Sequence, residues 1–137
     1  MWGLDAADPQ VAIAAMQAMN ASVRNAVFAP AFFGMPLVLL VTALANRRTS
    51  GAAALAFAVA AVVYTLGGLV LTLAVNVPMN EALAQVIIPE DRAEAAAIWA
   101  GYSPRWQLWN QIRTVASGVA LLLAGWGTWR LGRDGGR

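Results

Sequence analysis

Three apolar runs decide what this chain can fold into. Residues 27–45, 52–75 and 112–131 are each close to the length of about 20 residues that a helix needs to cross a bilayer. In lipid, every backbone polar group must be satisfied within the protein, which leaves helices and closed barrels. Continuous apolar runs of this length, without alternation, specify helices. The rest of the chain agrees: of 137 residues, 60% are hydrophobic and 12% charged, and the mean hydropathy is +0.61. A soluble domain carries about 25% charged residues. The expectation is one domain, an all-α integral membrane helical bundle with three transmembrane helices and short amphipathic helices beside them.

The chain has no cysteine and no histidine. Zinc, copper and haem sites are built on those ligands, so no metal and no cofactor is expected. A Ser-His or Cys-His nucleophile is excluded, as are disulfides. All nine basic residues are arginine. With abundant alanine, this points to a GC-rich, bacterial coding sequence. The pI near 9.9 does not imply a nucleic-acid partner. The expected partner is the lipid bilayer, and whether the chain works alone or as a homo-oligomer stays open.

Residues 1–26 form an amphipathic N-terminal segment. Asp8 and Pro9 give the usual cap and first position of a helix. Ala12, Met16, Met19 and Val23 then fall near one face. Pro30 and Pro36 lie in the first span. The turn at 46–51 carries Arg47 and Arg48, and Pro78 is expected to kink or end the second span. A short helix is expected over 80–88, and another from Pro89 to about Tyr102. Ser103 and Pro104 then read as the cap and first position of a further helix. Residues 132–137 read as a disordered tail.

Arginine placement orients the spans. Arg47, Arg48, Arg130, Arg133 and Arg137 against Asp134 leave one side at +4. On the other, Arg24, Arg92, Arg105 and Arg113 against Asp5, Asp8, Glu81, Glu90, Asp91 and Glu94 leave −2. The C-terminus and the Arg47/Arg48 turn are therefore expected in the cytoplasm of a multi-pass cell-membrane protein. The motif segment 76–111 is expected to face outward.

That segment holds most of the polar chemistry. Trp99, Tyr102, Trp106, Trp109 and Arg113 follow at steps of 3, 4, 3 and 4, a single stripe on an unbroken helix. With a break at Pro104 it becomes two half-faces. The aromatics are either an interfacial belt or the walls of a site. Asn76, Asn80 and Asn110 sit at span edges, where an unpaired amide is costly. They bond freed backbone, cap helices (Asn80 above all) or bind something polar. Arg113 either snorkels or pairs with Glu81. Glu81 is the best-placed general base, if a poorly hydrated setting raises its pKa.

At these residues the chain resembles the anthrone oxygenase-like membrane family, long catalogued as a domain of unknown function. The resemblance rests on MQAMN (16–20) and FAPAFFG (28–34). It rests more strongly on NVPMNEAL (76–83), WAGY (99–102) and WQLWNQIRT (106–114), in that order and spacing. It implies four spans, the first preceding a turn like MWGL at residues 1–4, so the chain reads as lacking the family's first span. It also implies a cofactor-free oxygenase, or a binder, acting on a flat aromatic or quinone-like small molecule. Trp99, Tyr102, Trp106 and Trp109 would line the slot with Asn80. Glu81 would be the base, and Asn76, Asn110 and Arg113 the donors to an enolate. The alternative is a non-catalytic membrane scaffold or accessory subunit in which the Asn/Trp/Arg segment is a structural latch.

Overall fold

The computed structural model describes residues 1–23 and 25–134. Arg24 and Arg137, which enter the charge balance, and the last three residues of the expected tail lie outside them. The described residues hold six α-helices and no strand: α1 (Trp2–Asp5), α2 (Pro9–Ser22), α3 (Phe28–Asn46), α4 (Gly51–Val63), α5 (Val77–Ala84) and α6 (Arg92–Asp134).

Local chemistry starts each element. The Asp8 carboxylate accepts from the Gln10 N–H at 3.0 Å and Pro9 opens α2, as the sequence predicts. Asn25 Oδ1 accepts from the Val27 and Phe28 N–H groups at the head of α3. Ser50 accepts from the Ala53 N–H and caps α4. Asp91 Oδ1 accepts from the Ala93 N–H where α6 begins.

Between α4 and α5 the helix does not stop. It widens into two π-helical stretches, Tyr64–Val70 and Thr72–Asn76, and continues as one 34-residue helix to Ala84. Pro78 therefore does not end the second span. A proline removes one backbone donor and crowds the carbonyl four residues back. Wider turns ahead of it shift the bonding to i−5 and relieve that conflict. Thr65 and Thr72 donate their hydroxyls to the carbonyls of Ala61 and Gly68, giving those carbonyls a further partner.

The expected break at Pro104 is also absent. α6 runs through it for 43 residues, about 65 Å at 1.5 Å per residue. Ser103 is not a cap, because its hydroxyl is spent on Asp5. Residues 132–134 of the expected tail continue α6.

Two helices are long and apolar enough to cross a membrane, by length and composition: Phe28–Asn46 and Gly51–Ala84. Only 11% and 28% of their apolar windows is buried by the rest of the chain, unlike the core helix of a soluble protein. The third expected span, 112–131, is not among them. Arg113, Ser117, Thr128 and Arg130 dilute its apolar run.

α6 joins two separate cores. In one, Leu39 and Ala43 of α3, Ala53, Phe57, Ala60 and Ala61 of α4, and Ala120 of α6 pack together. In the other, Ala12, Ile13 and Met16 of α2 meet Leu83 of α5 and Ala95, Trp99 and Tyr102 of α6. Met19 and Val23, expected on the inner face of α2, are exposed. Along the first core α4 and α6 run antiparallel at close range. A methyl group added at Gly67 would overlap the Ala116 methyl, and one at Gly127 would touch the Phe57 ring. Gly67→Ala is therefore expected to destabilise the bundle by about 1–3 kcal/mol, the usual cost of overpacking. Thermal unfolding in detergent checks this; an unchanged midpoint would mean that the helices separate easily here.

Candidate functional site

Because α6 is unbroken, Trp99, Tyr102, Trp106, Trp109 and Arg113 do form one continuous stripe. Trp99 and Tyr102 are buried, while Trp106, Trp109 and Arg113 are half-buried. Facing them are Asn76 and Asn80, one turn apart on the other long helix.

Asn80 is not a helix cap. It lies inside α5, and its Oδ1 accepts from the Tyr102 hydroxyl at 2.9 Å and from Trp106 Nε1 at 2.8 Å. Burial pushes the Tyr102 phenol up to about 12, a rise the neighbouring Asn20 amide partly offsets. Tyr102 is thus a neutral donor at physiological pH and not a base. Asn76 is 3% exposed, and neither end of its amide has a hydrogen-bond partner among the described residues. A buried amide left in that state costs about 1–3 kcal/mol, which marks the position as unusual. Asn110 Oδ1 accepts from Arg113 Nη2 at 2.6 Å. No ion pair joins Glu81 to Arg113 among the described residues. Glu81 is an exposed residue of α5.

Two concavities flank this stripe. The larger, about 690 Å³, lies between α2 and α5 and is lined by Gln17, Asn20, Ala21, Asn80, Glu81, Ala82, Ala84 and Gln85. The smaller, about 390 Å³, lies between α1 and α6 and is lined by Met1, Trp2, Gly3, Gln107, Asn110 and Gln111. The structure thus divides the residues that the sequence groups together. Glu81 and Asn80 share the larger groove, Asn110 opens on the other concavity, and Asn76 is enclosed. No tryptophan lines the larger groove; Trp106 stands behind Asn80 as its hydrogen-bond donor.

α2 is tied to this region by its side chains. Gln17 Nε2 donates to the carbonyls of Leu83 and Val86, both at 2.9 Å, where α5 ends. Gln10 Nε2 donates to those of Pro89 and Glu90. Asn20, which with Gln17 and Arg24 reads in the sequence as either a solvated face or a cover for the mouth of the bundle, lines the groove, and its Nδ2 is buried with no hydrogen-bond partner among the described residues.

Sequence reasoning also missed Asp5. Its carboxylate accepts from Trp99 Nε1 at 3.0 Å, Ser103 Oγ at 2.6 Å and Gln107 Nε2 at 2.9 Å. Donor-bearing residues four apart on one helix were the available signal. The Ser103 hydroxyl holds the Asp5 carboxyl below its ordinary value of 3.8, with partial burial opposing and Gln107 and Trp99 assisting. A depressed carboxyl contributes stability above its unfolded pKa and loses it as pH falls through the folded value. Docking of α1 is therefore expected to be complete above about pH 4 and lost below it, and Asp5→Asn should remove that acid dependence. Amide exchange of residues 2–7 against pH measures this; protection that is the same in both proteins at every pH would exclude Asp5 as the latch.

No histidine, cysteine or carboxylate cluster suited to a metal occurs among the described residues. No curated protein and no solved structure matches the chain. Residues 13–123 match the model of the anthrone oxygenase family, and this span includes most of α2, both long helices' facing segments and every candidate residue except Asp5; the chain belongs to the anthrone oxygenase family.

Proposed function

We propose that the chain is a membrane-embedded, cofactor-free oxygenase of the family's type, acting on a hydroxylated, anthrone-like aromatic held between α2 and α5. The observation that carries this reading is the groove of about 690 Å³ with the Glu81 carboxylate beside the amides of Gln17, Asn20, Asn80 and Gln85. A carboxylate next to several carboxamides suits removal of a proton from a carbon acid whose oxygen gains negative charge.

The reaction balances without a cofactor. Glu81 takes a proton from the methylene carbon of the anthrone, and the enolate oxygen accepts hydrogen bonds from the amides of Asn20, Asn80 and Gln85. The carbanion adds to dioxygen, forming a C–O bond and a hydroperoxide once the proton returns. Loss of the second hydrogen from that carbon with cleavage of the O–O bond gives the quinone carbonyl and water. One dioxygen is consumed per anthrone. Asn76, Asn110 and Arg113 do not line this groove and take no part in the proposed step.

Membrane placement is part of the same proposal. Leu37, Leu55, Leu66, Leu121 and Leu122 are all at least 60% exposed. Lipid covers such a surface at no cost, whereas water does not. α3 is 19 residues, about 28 Å, which matches the hydrocarbon thickness. The arginine balance puts the Arg47/Arg48 turn and the C-terminal end of α6 in the cytoplasm. The groove then faces outward.

The test is oxygen uptake by purified protein in lipid nanodiscs with a hydroxylated anthrone. Uptake should exceed autoxidation, yield one quinone per dioxygen, and fall when Ala82→Trp fills the groove. Uptake no faster than autoxidation with any anthrone would sink the oxygenase reading. A second reading, a membrane scaffold, is favoured by one observation: Trp99 and Tyr102 are packed in a core and Trp106 is bonded to Asn80. It expects no effect of groove-filling on any ligand.

A further inference from the structure

The lower half of α6 carries a lane that no groove residue touches. Val115, Val119, Leu122 and Trp126 follow at steps of 4, 3 and 4, and the same face continues through Trp129, Arg130 and Arg133. The first four are 67%, 42%, 75% and 46% exposed, so the lane is open along its length. From Val115 to Trp126 it measures about 16 Å, close to one acyl chain.

Its end is chemically different. The Arg133 guanidinium sits 4.9 Å from the Trp129 ring centroid, and that of Arg130 sits 5.8 Å from Trp126. Arg130 Nη2 lies 3.8 Å from Asp134 Oδ2, a charge contact too long for a hydrogen bond, and its Nε is buried without a hydrogen-bond partner among the described residues. The Ser50 hydroxyl donates to that same Asp134 oxygen and ties the α3–α4 turn to the end of α6. Exposed Arg47 and Arg48 thereby stand at the same end. Among the described residues, four arginines face one aspartate there.

We propose that this face binds one anionic phospholipid, its phosphate on Arg130 and Arg133 and an acyl chain along Val115, Val119 and Leu122. Guanidinium groups recognise phosphate oxygens in a planar, bidentate manner. Exposed indoles prefer the headgroup level, which fixes the depth. The lane and the charged end match the two halves of one lipid and not a free anion. The proposal rests on the membrane placement above but not on the oxygenase reaction.

The full chain, purified in mild detergent, is titrated with phosphatidylglycerol or phosphatidylcholine of the same acyl chains and read by native mass spectrometry. Flotation with vesicles comes first; a chain that does not float fails the membrane placement itself. One phosphatidylglycerol should be retained in preference to phosphatidylcholine. Arg130→Gln with Arg133→Gln should weaken retention by roughly fivefold per arginine. Lysine at both positions should give an intermediate loss. Arg133→Gln alone, on an exposed side chain, and Leu122→Gln in the lane keep the test valid should the double variant misfold. Equal retention of both lipids, or variants with the wild-type preference, would overturn the proposal. Full displacement by millimolar inorganic phosphate would overturn it too, in favour of a free-anion site.

Discussion

Glu81→Gln is expected to slow anthrone-dependent oxygen uptake by about 10²–10⁴-fold, the usual contribution of a positioned general base. Glutamine keeps the shape of the side chain and its place on α5 but cannot accept a proton. The groove, its amides and the Tyr102–Asn80–Trp106 bonds are left in place, so affinity for the aromatic should change far less than turnover. The initial rate on an oxygen electrode and the binding isotherm of the anthrone separate the two. Full turnover by the Glu81→Gln variant would assign proton removal to solvent and leave the groove as a binding site. Loss of binding together with turnover would instead make Glu81 a contact for the substrate.

Asn80→Leu should destabilise the core around Trp99 and Tyr102 by about 2–6 kcal/mol, since it strands two donors at about 1–3 kcal/mol each. Tyr102 is 8% exposed, so water cannot readily take the place of the lost acceptor. Trp106 Nε1 loses its partner in the same step. Leucine fits the volume, which leaves hydrogen bonding as the main change. Asn80→Asp restores an acceptor for both donors and should recover most of the loss. Denaturant unfolding followed by tryptophan fluorescence measures both variants. A cost below about 1 kcal/mol for leucine, no larger than for an ordinary surface position, would show that water replaces Asn80 easily.

The parts of this structure legible in the sequence are those written locally. Asp8–Pro9 opens α2 because a cap and a fixed φ act within one turn. The steps from Trp99 to Arg113 describe one face because α6 does continue. The ordered motif blocks are enough to place the chain in its family. What was not legible depends on partners far along the chain. Ser103–Pro104 has the composition of a helix start, yet the hydroxyl that would have capped it is drawn to Asp5, 98 positions away. Asn80 has the chemistry of a cap, but Tyr102 and Trp106 claim its oxygen from another helix. Glu81 sits next to Asn80 in sequence and about 100° from it around the helix, so Asn80 bonds to the stripe while Glu81 is exposed in the groove. Length and composition favoured three spans, but the charged and hydroxylated positions of 112–131 leave two clear ones.

The wide turns at Tyr64–Val70 and Thr72–Asn76 bear on how such a chain can change over generations. A wide turn behaves as a helix that has taken in a surplus residue while keeping its axis. Losing one residue there converts a wide turn into an ordinary one, and gaining one widens another. Either way, the phase of the helix on both sides is preserved. Relatives that differ in length between Phe57 and Asn80 can therefore still present an amide to Tyr102 and Trp106. The same event within α6 would rotate the whole aromatic stripe away from its partners. Indels should thus accumulate on one of the two long helices and be purged from the other.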